Sequence, residues 1–102
     1  MKHLKNIHPG EVLKEEFLDP LRISAYRLAK ETTLSQTRIG QIIRGKRSIS
    51  AETALKLGKF FGISPEFWLN LQILYDLEEA RREFSRDIKS IHTAKELGLA
   101  SA

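Results

Sequence analysis

The chain has 102 residues, 41% of them hydrophobic, with one Trp, two Tyr and five Phe, which indicates one packed domain and excludes a largely disordered chain. It has no cysteine, which excludes disulfide bonds and thiolate catalysis and is typical of cytosolic proteins. No apolar run reaches the length of a signal peptide or a membrane span. We therefore expect a cytoplasmic protein with no membrane partner.

The charge is unevenly distributed. The net charge is +4, but the segment from Arg22 to Lys59 holds nine Lys or Arg and two acids, which makes it +7. The rest of the chain has eight bases and eleven acids, or −3. A basic middle in an acidic frame favours a polyanion as the partner, although a solvated lysine-rich surface is the plainer alternative.

Signals for helix ends recur at short intervals along the chain. Pro9 opens a first helix that Asp19-Pro20 should end, because the residue before a proline is disfavoured in helical conformation. Three helices then begin after the capping serines Ser24, Ser35 and Ser50. The second of these ends at Gly45 and the third at Gly62, and Ser64-Pro65-Glu66 opens a fifth helix. No stretch alternates apolar and polar residues as a strand does, so the prediction is an all-α fold of five helices.

The fifth helix is predicted to be the longest, and it is apolar around most of its circumference. Phe67, Trp68, Leu71 and Tyr75 are the candidates for a combined core and dimer interface. A fully buried central helix is the alternative. After Leu77 the sequence becomes densely charged, so we divide the chain into a domain over residues 1–77 and a charged helical extension and tail over 78–102. The last dozen residues are equally consistent with a frayed tail and a docking segment.

The third predicted helix, about residues 36–44, has two different faces. Its isoleucines share one side, whereas Thr37, Gln41 and Arg44 share the other and Gln36 lies at the first turn. Such a helix fits the DNA major groove, where amides pair with adenine and arginine with guanine, so these four residues are the candidate base contacts. Ala29 in the preceding helix permits the close crossing of a helix-turn-helix. The candidate phosphate contacts are Arg27, Lys30, Ser35, Arg38, Lys46 and Arg47. Gly40 should admit a close neighbour, either DNA or the second helix.

The segment 25–44 resembles the helix-turn-helix of phage-repressor-like Cro/C1 (XRE) regulators. The resemblance extends over roughly residues 7–81 to HigA-type antitoxins of type II toxin–antitoxin modules, through "HPGE", "RLAK", "GKRSI", "TALKL" and "SPEFWLNLQILYDLE". It implies a phage-repressor-like fold and a homodimer that binds a palindromic operator, represses its own operon and neutralises a RelE-like ribonuclease toxin encoded beside it. It also implies that Gln36, Thr37 and Gln41 contact bases and that Lys46 contacts phosphate.

Two positions depart from the pattern of that family. Thr33 occupies the turn position that is usually glycine, where a β-branched residue with positive φ would be strained, so either the turn has another geometry or the core carries the strain. Ala25 replaces a glutamine that often contacts phosphate, which leaves the backbone amides of the helix N-terminus for that contact. We expect weaker DNA binding than is usual in the family unless the basic loop compensates.

Other function classes are less well supported. His3, His8 and His92 are far apart, and no metal-ligand spacing or nucleophile–base pattern occurs, so we expect no catalysis, metal or cofactor. Two alternatives stay open: a repressor without a toxin partner, and a protein-interaction module with a degenerate DNA-binding head. For the toxin-binding surface, the 78–90 segment, the first helix and the N-terminal arm are equal candidates.

Overall fold

The computed structural model describes residues 5–99, and within that range the fold is all-α, as predicted. Helix α1 consists of three consecutive segments, Pro9–Val12, a π-helical stretch Leu13–Leu18, and Asp19–Leu21. The others are α2 (Ala25–Thr32), α3 (Gln36–Ile43), α4 (Ala51–Phe61) and α5 (Pro65–Lys89). The expected serine caps are present: the hydroxyls of Ser24, Ser35, Ser50 and Ser64 each accept a backbone N–H of the following first turn.

The predicted end of α1 at Asp19-Pro20 is wrong. Asp19 is helical (φ −63°, ψ −50°), and the helix continues to Leu21 before Arg22 ends it with φ 57°. The reason is the π-helical stretch, in which the Asp19 N–H donates to the Lys14 carbonyl, five residues back. Proline lacks an N–H and is tolerated where a helical register begins, and Pro20 lies where the π-helical register gives way to the α-helical one.

The hydrophobic core lies where all five helices meet. Its completely buried side chains include Leu13, Leu28, Ile39, Ile42, Leu57 and Trp68. Helices α1 and α3 cross so closely that a Cβ on Gly10 would lie 1.8 Å from the Ile42 carbonyl oxygen. Glycine is therefore required at residue 10, and this contact holds the first helix directly against α3.

Helix α5 packs on the core with one side only. Trp68 and Gln72 are buried on that side, and the rings of Phe17, Phe61 and Phe67 surround Trp68 at centroid distances of 5.0–6.1 Å. Tyr75 and Leu71 are half-buried on the same side. The alternative of a fully buried central helix is wrong, because the opposite side of α5 is open to solvent.

The second half of α5 extends beyond the core. Its residues from Arg81 onward are all exposed, and Phe84 interrupts the helical dihedrals (φ −108°, ψ 19°). Within this region Glu78 accepts a hydrogen bond from Arg82 at 3.0 Å. After α5, a short helical turn begins at Thr93 and ends at Gly98 with φ 73°. The start of the predicted domain, residues 1–4 with His3, and the end of the predicted extension, residues 100–102, lie outside the described range.

Candidate nucleic-acid interface

Helices α2 and α3 form a helix-turn-helix whose turn is strained. Thr33 ends α2 in the left-handed region (φ 59°, ψ 22°), so the first of the two expected outcomes, another turn geometry, is excluded. A β-branched residue is unfavourable there. On either side of it Thr32 and Leu34 are buried, at 5% exposure each, and this packing fixes the turn despite the strain. Packing of the neighbouring residues in the core thus compensates for the backbone strain at Thr33, which glycine would not have had.

The exposed start of α3 borders a shallow depression of about 380 Å³. Its lining consists of Ala25, Gln36, Thr37, Gly40 and Arg44. The structure therefore brings three of the four candidate base contacts together. Within the chain the close neighbour of Gly40 is not α2: a Cβ there would lie 3.1 Å from a guanidinium nitrogen of Arg44. Glycine lets the Arg44 side chain fold back along its own helix toward Gln36.

The fourth candidate base contact, Gln41, is paired with a candidate phosphate contact. Arg47 Nη1 donates to the Gln41 Oε1 at 3.0 Å. The Gln41 backbone also contacts the loop formed by residues 44–50: the Lys46 N–H donates to the Gln41 carbonyl at 2.8 Å. The free end of the Gln41 side chain is thus its NH₂ group, which can only donate.

Arg38 is tied to α4. Its Nη1 lies 2.9 Å from the Glu52 Oε1, and Lys56 contacts the other carboxylate oxygen at the same distance. Hydrogen bonds from Lys56 and Arg38 lower the pKa of Glu52 to about 2. The Glu52 carboxylate thus joins α3 to the first turn of α4, and Arg38 has less freedom to reach a phosphate than an unpaired side chain.

The remaining candidate phosphate contacts do not all lie on the same part of the surface, because Arg27 lines a separate depression. Lys46, Arg47 and Lys30 are exposed, and the Ser35 hydroxyl caps α3 by accepting the Arg38 N–H at 3.0 Å. Arg27 pairs with Glu31 at 2.6 Å and lines a different depression, beside Leu21 and Phe60. The structure thus separates Arg27 from the depression at the start of α3.

Two residues that the local sequence patterns did not single out for this surface hold the 44–50 loop. The Gln72 side chain accepts the Ile49 N–H at 2.7 Å, and the His8 ring lies within 4 Å of the position a Cβ on Gly45 would take. His8 is 6% exposed, its Nδ1 accepts the Gly10 N–H at 2.9 Å, and its ring meets Tyr75 edge-on at 4.8 Å. Burial lowers the pKa of His8, while the Asp76 and Glu11 carboxylates raise it in part. The sequence signal for Gln72 was a polar residue four positions after Trp68, on the side of an otherwise apolar helix that was predicted to be buried.

Between residues 5 and 99 no group of three or more His, Cys, Asp or Glu side chains is arranged to hold a metal ion. In the same range, no helix is both long and apolar enough to span a membrane.

Comparison with known proteins identifies the family. The helix-turn-helix family HTH_3 matches residues 13–68. The solved antitoxin HigA from Pseudomonas aeruginosa, determined with the higBA promoter, is 39% identical, with a TM-score of 0.83 over 86% of this chain and 97% of that one. The chain belongs to the HigA-type antitoxins. An addiction module antidote protein of the HigA family from Coxiella burnetii is 46% identical, with a TM-score of 0.82 over 88% of this chain and 98% of the other.

The resemblance to HigA-type antitoxins is thereby confirmed, with a helix-turn-helix of the XRE type. A curated relative, virulence-associated protein I from Dichelobacter nodosus, is 48% identical over 77 residues, which are 76% of this chain and 71% of the relative. These proteins bear the names of an antitoxin, an antidote protein and a virulence-associated protein, and none of the three names describes an enzyme.

Proposed function

We propose that this HigA-type chain binds a palindromic operator as a homodimer, represses its own operon and neutralises a RelE-like ribonuclease toxin. The observation that carries the DNA-binding part is the exposed start of α3, where Gln36 and Thr37 lie beside Arg44 at one depression. Residues near the N-terminus of a recognition helix reach the base edges in the major groove. The promoter complex of the related HigA supports the same assignment.

Different parts of this surface would do different work. Gln36, Thr37, Arg44 and the NH₂ group of Gln41 would select the sequence. Lys46 and Arg47 on the loop, with Lys30 and the helix N-termini capped by Ser24 and Ser35, would bind phosphates and supply the salt-dependent part of the affinity. Arg38 and Arg27 would contribute less, because each already has a carboxylate partner.

The dimer interface would lie on the open side of α5. We define the α5 stripe as Leu69, Ile73, Leu77, Phe84 and Ile88. The first three fall within about 80° of one another around the regular part of the helix, and the last two lie at and beyond its interruption. Ile73 is 57% exposed and Ile88 52%, unusual values for a row of large apolar side chains. An apolar stripe paired with itself is the pattern of a two-fold homodimer, and two recognition helices are what a palindromic operator requires.

Toxin neutralisation rests on membership of the HigA-type antitoxins. The second candidate, a repressor that binds no toxin, has the same DNA-binding surface. Co-expression with the protein encoded next to this chain separates the two: an antitoxin restores growth and co-purifies with its partner, whereas a stand-alone repressor does neither.

The operator test compares the duplex upstream of the gene with a scrambled duplex over a range of salt concentrations. We expect preference for the upstream duplex and a steep loss of affinity with salt. Replacing Gln36 by alanine should reduce discrimination by about 1–3 kcal/mol at one base pair in each half-site. Lys46→Ala is the matched contrast, because it should weaken both duplexes alike and lower the salt slope by about one for each phosphate that is no longer neutralised. Equal binding of the two duplexes by the unmodified chain would contradict the proposal.

A further inference from the structure

Gln72 is a buried polar residue that links α5 to the loop following the recognition helix. Its side chain is 6% exposed on the core side of α5. The Oε1 atom accepts the Ile49 N–H at 2.7 Å, and the Nε2 atom donates to the Asp76 Oδ1 at 2.9 Å. Both ends of the amide are therefore satisfied, as burial requires.

The direction of this amide is determined by its two partners. An ionised carboxylate can only accept hydrogen bonds and a backbone N–H can only donate one. Asp76 therefore takes the NH₂ end of Gln72, and the carbonyl end must face Ile49. The Asp76 carboxylate is exposed, and its hydrogen bond to the Gln72 Nε2 keeps the amide in this orientation.

The loop that Gln72 holds carries the exposed cations of the DNA-binding surface. Ile49 is buried at 4% exposure near the end of the 44–50 loop, while Lys46 and Arg47 project from its middle. At the other end of the loop, Gly45 packs under the His8 ring, which in turn contacts Tyr75. Gln72 and Tyr75 are one turn apart on α5, so a single turn of that helix secures both ends of the loop.

We propose that Gln72, oriented by Asp76, is a positioning residue that places Lys46 and Arg47 for contact with DNA phosphates. The proposal rests on the DNA binding proposed above. It separates two kinds of contact: Gln36 and Thr37 stand at the far end of α3 from the loop and do not depend on Gln72. Loss of the Gln72 link should therefore lower the affinity for all DNA and its salt dependence, while the base discrimination that Gln36 and Thr37 provide stays intact.

The experiment uses the full chain with Gln72→Met, which keeps the length of the side chain and removes both polar ends. Thr32→Val is the matched control, because it removes another buried side-chain hydrogen bond, from Thr32 Oγ1 to the Leu28 carbonyl, away from the loop. We expect the Ile49 amide to exchange with solvent about tenfold faster in Gln72→Met alone, while the Leu57 amide is unchanged. Affinity for every duplex should fall about tenfold, and the salt slope should fall by about one for each phosphate that is no longer neutralised.

A charge-neutral swap tests the orientation. Gln72→Glu alone sets two carboxylates side by side and should weaken DNA binding. Gln72→Glu with Asp76→Asn restores an acceptor for Ile49 and a donor between the two side chains, so it should recover most of the affinity and the salt slope. This arm also tests the proposal if Gln72→Met does not fold.

Three outcomes overturn the proposal: an unchanged Ile49 exchange rate in Gln72→Met, faster exchange with an unchanged salt slope, or no recovery in the double variant. If the unmodified chain shows no preference for the upstream duplex, the operator assignment fails. The Ile49 exchange rates still report whether Gln72 holds the loop.

Discussion

The two sides of α5 are built from the same kinds of residue but meet different surroundings. On one side Trp68 is completely buried, Leu71 packs against the core, and Tyr75 is half-buried against the His8 ring. On the other side Ile73 and Leu77 are 57% and 45% exposed. Five residues, or about 140° of rotation, separate Trp68 from Ile73. The comparison shows that apolar character alone does not reveal whether a side chain completes its own domain or packs against another molecule.

The two sides also differ in their hydrogen bonds to the rest of the chain. The core side includes Gln72, which reaches the 44–50 loop, and Tyr75, whose backbone carbonyl accepts a hydrogen bond from the Asn6 side chain at 2.9 Å. The open side contains the apolar side chains of the α5 stripe, with the exposed Asn70 in the same arc. The core side is therefore connected to the proposed DNA-binding surface by the hydrogen bond between Gln72 and Ile49, whereas the stripe is suited to close packing against a like surface. One helix thus joins the proposed dimer interface to the proposed DNA-binding surface.

Breaking the core side should have the largest effect. Replacing Trp68 by alanine removes a completely buried indole and leaves a cavity among Phe17, Phe61 and Phe67. We expect the free energy of unfolding to fall by about 3–5 kcal/mol, a large share of the stability of a domain of this size. Urea denaturation followed by circular dichroism measures it, and a loss below about 1 kcal/mol would mean that Trp68 is not the centre of the core.

Breaking the stripe should leave the fold intact and abolish association. Ile73→Glu places a charge in the proposed dimer interface. It also removes up to about 1.5–3 kcal/mol of hydrophobic stabilisation of the dimer for each protomer. Arg86→Glu is the control, because it places the same new carboxylate at an exposed position of α5 outside the stripe, beyond the interruption at Phe84. We expect monomers for Ile73→Glu and dimers for Arg86→Glu in analytical ultracentrifugation, with unfolding curves of similar steepness. A dimer that tolerates Ile73→Glu would place the interface elsewhere.

The difference between the two sides also explains what could be read from the sequence. Capping serines, the isoleucine spacing of α3 and the family motifs predicted five helices and the recognition helix, because these signals are local. Phe67, Trp68, Leu71 and Tyr75 were predicted to serve as core and interface together, since a helical wheel gives faces but not what lies against them. The structure places Trp68 in the core and leaves Ile73 and Leu77 open.

Contacts between distant segments could not be predicted. The Gly10 contact with Ile42, the Arg38 pair with Glu52 and the Gln72 bond to Ile49 join residues 14 to 32 positions apart. Nothing in the local sequence of one partner specifies the other. A local rule also failed at Asp19-Pro20, where a π-helical stretch overrides the usual effect of proline. At Thr33 the sequence left two outcomes open, and the structure shows the one in which the packing of its neighbours outweighs backbone strain.

The smallest effect that we expect is a change in how stability depends on pH, caused by His8, which packs against Tyr75 on the core side of α5. His8 joins α1, Gly45 and Tyr75, and it must be neutral for its Nδ1 to accept the Gly10 N–H. Burial lowers the pKa of His8 in the folded chain from 6.5, so below that pH the unfolded chain binds more protons than the folded one. The contribution of His8 is thus fully present above pH 6.5 and is lost as the pH falls toward its folded pKa.

His8→Asn tests this, because asparagine caps a helix without titrating in this range. We expect the unmodified chain to lose stability in urea between pH 7.5 and 5.5, and His8→Asn to lose less. Glu52 does not interfere: a pKa of about 2 in the folded chain confines its contribution to changes below about pH 4.5. Were both proteins to lose stability equally over that range, another group would be responsible, and the contact between His8 and Tyr75 would not depend on the protonation state of the ring.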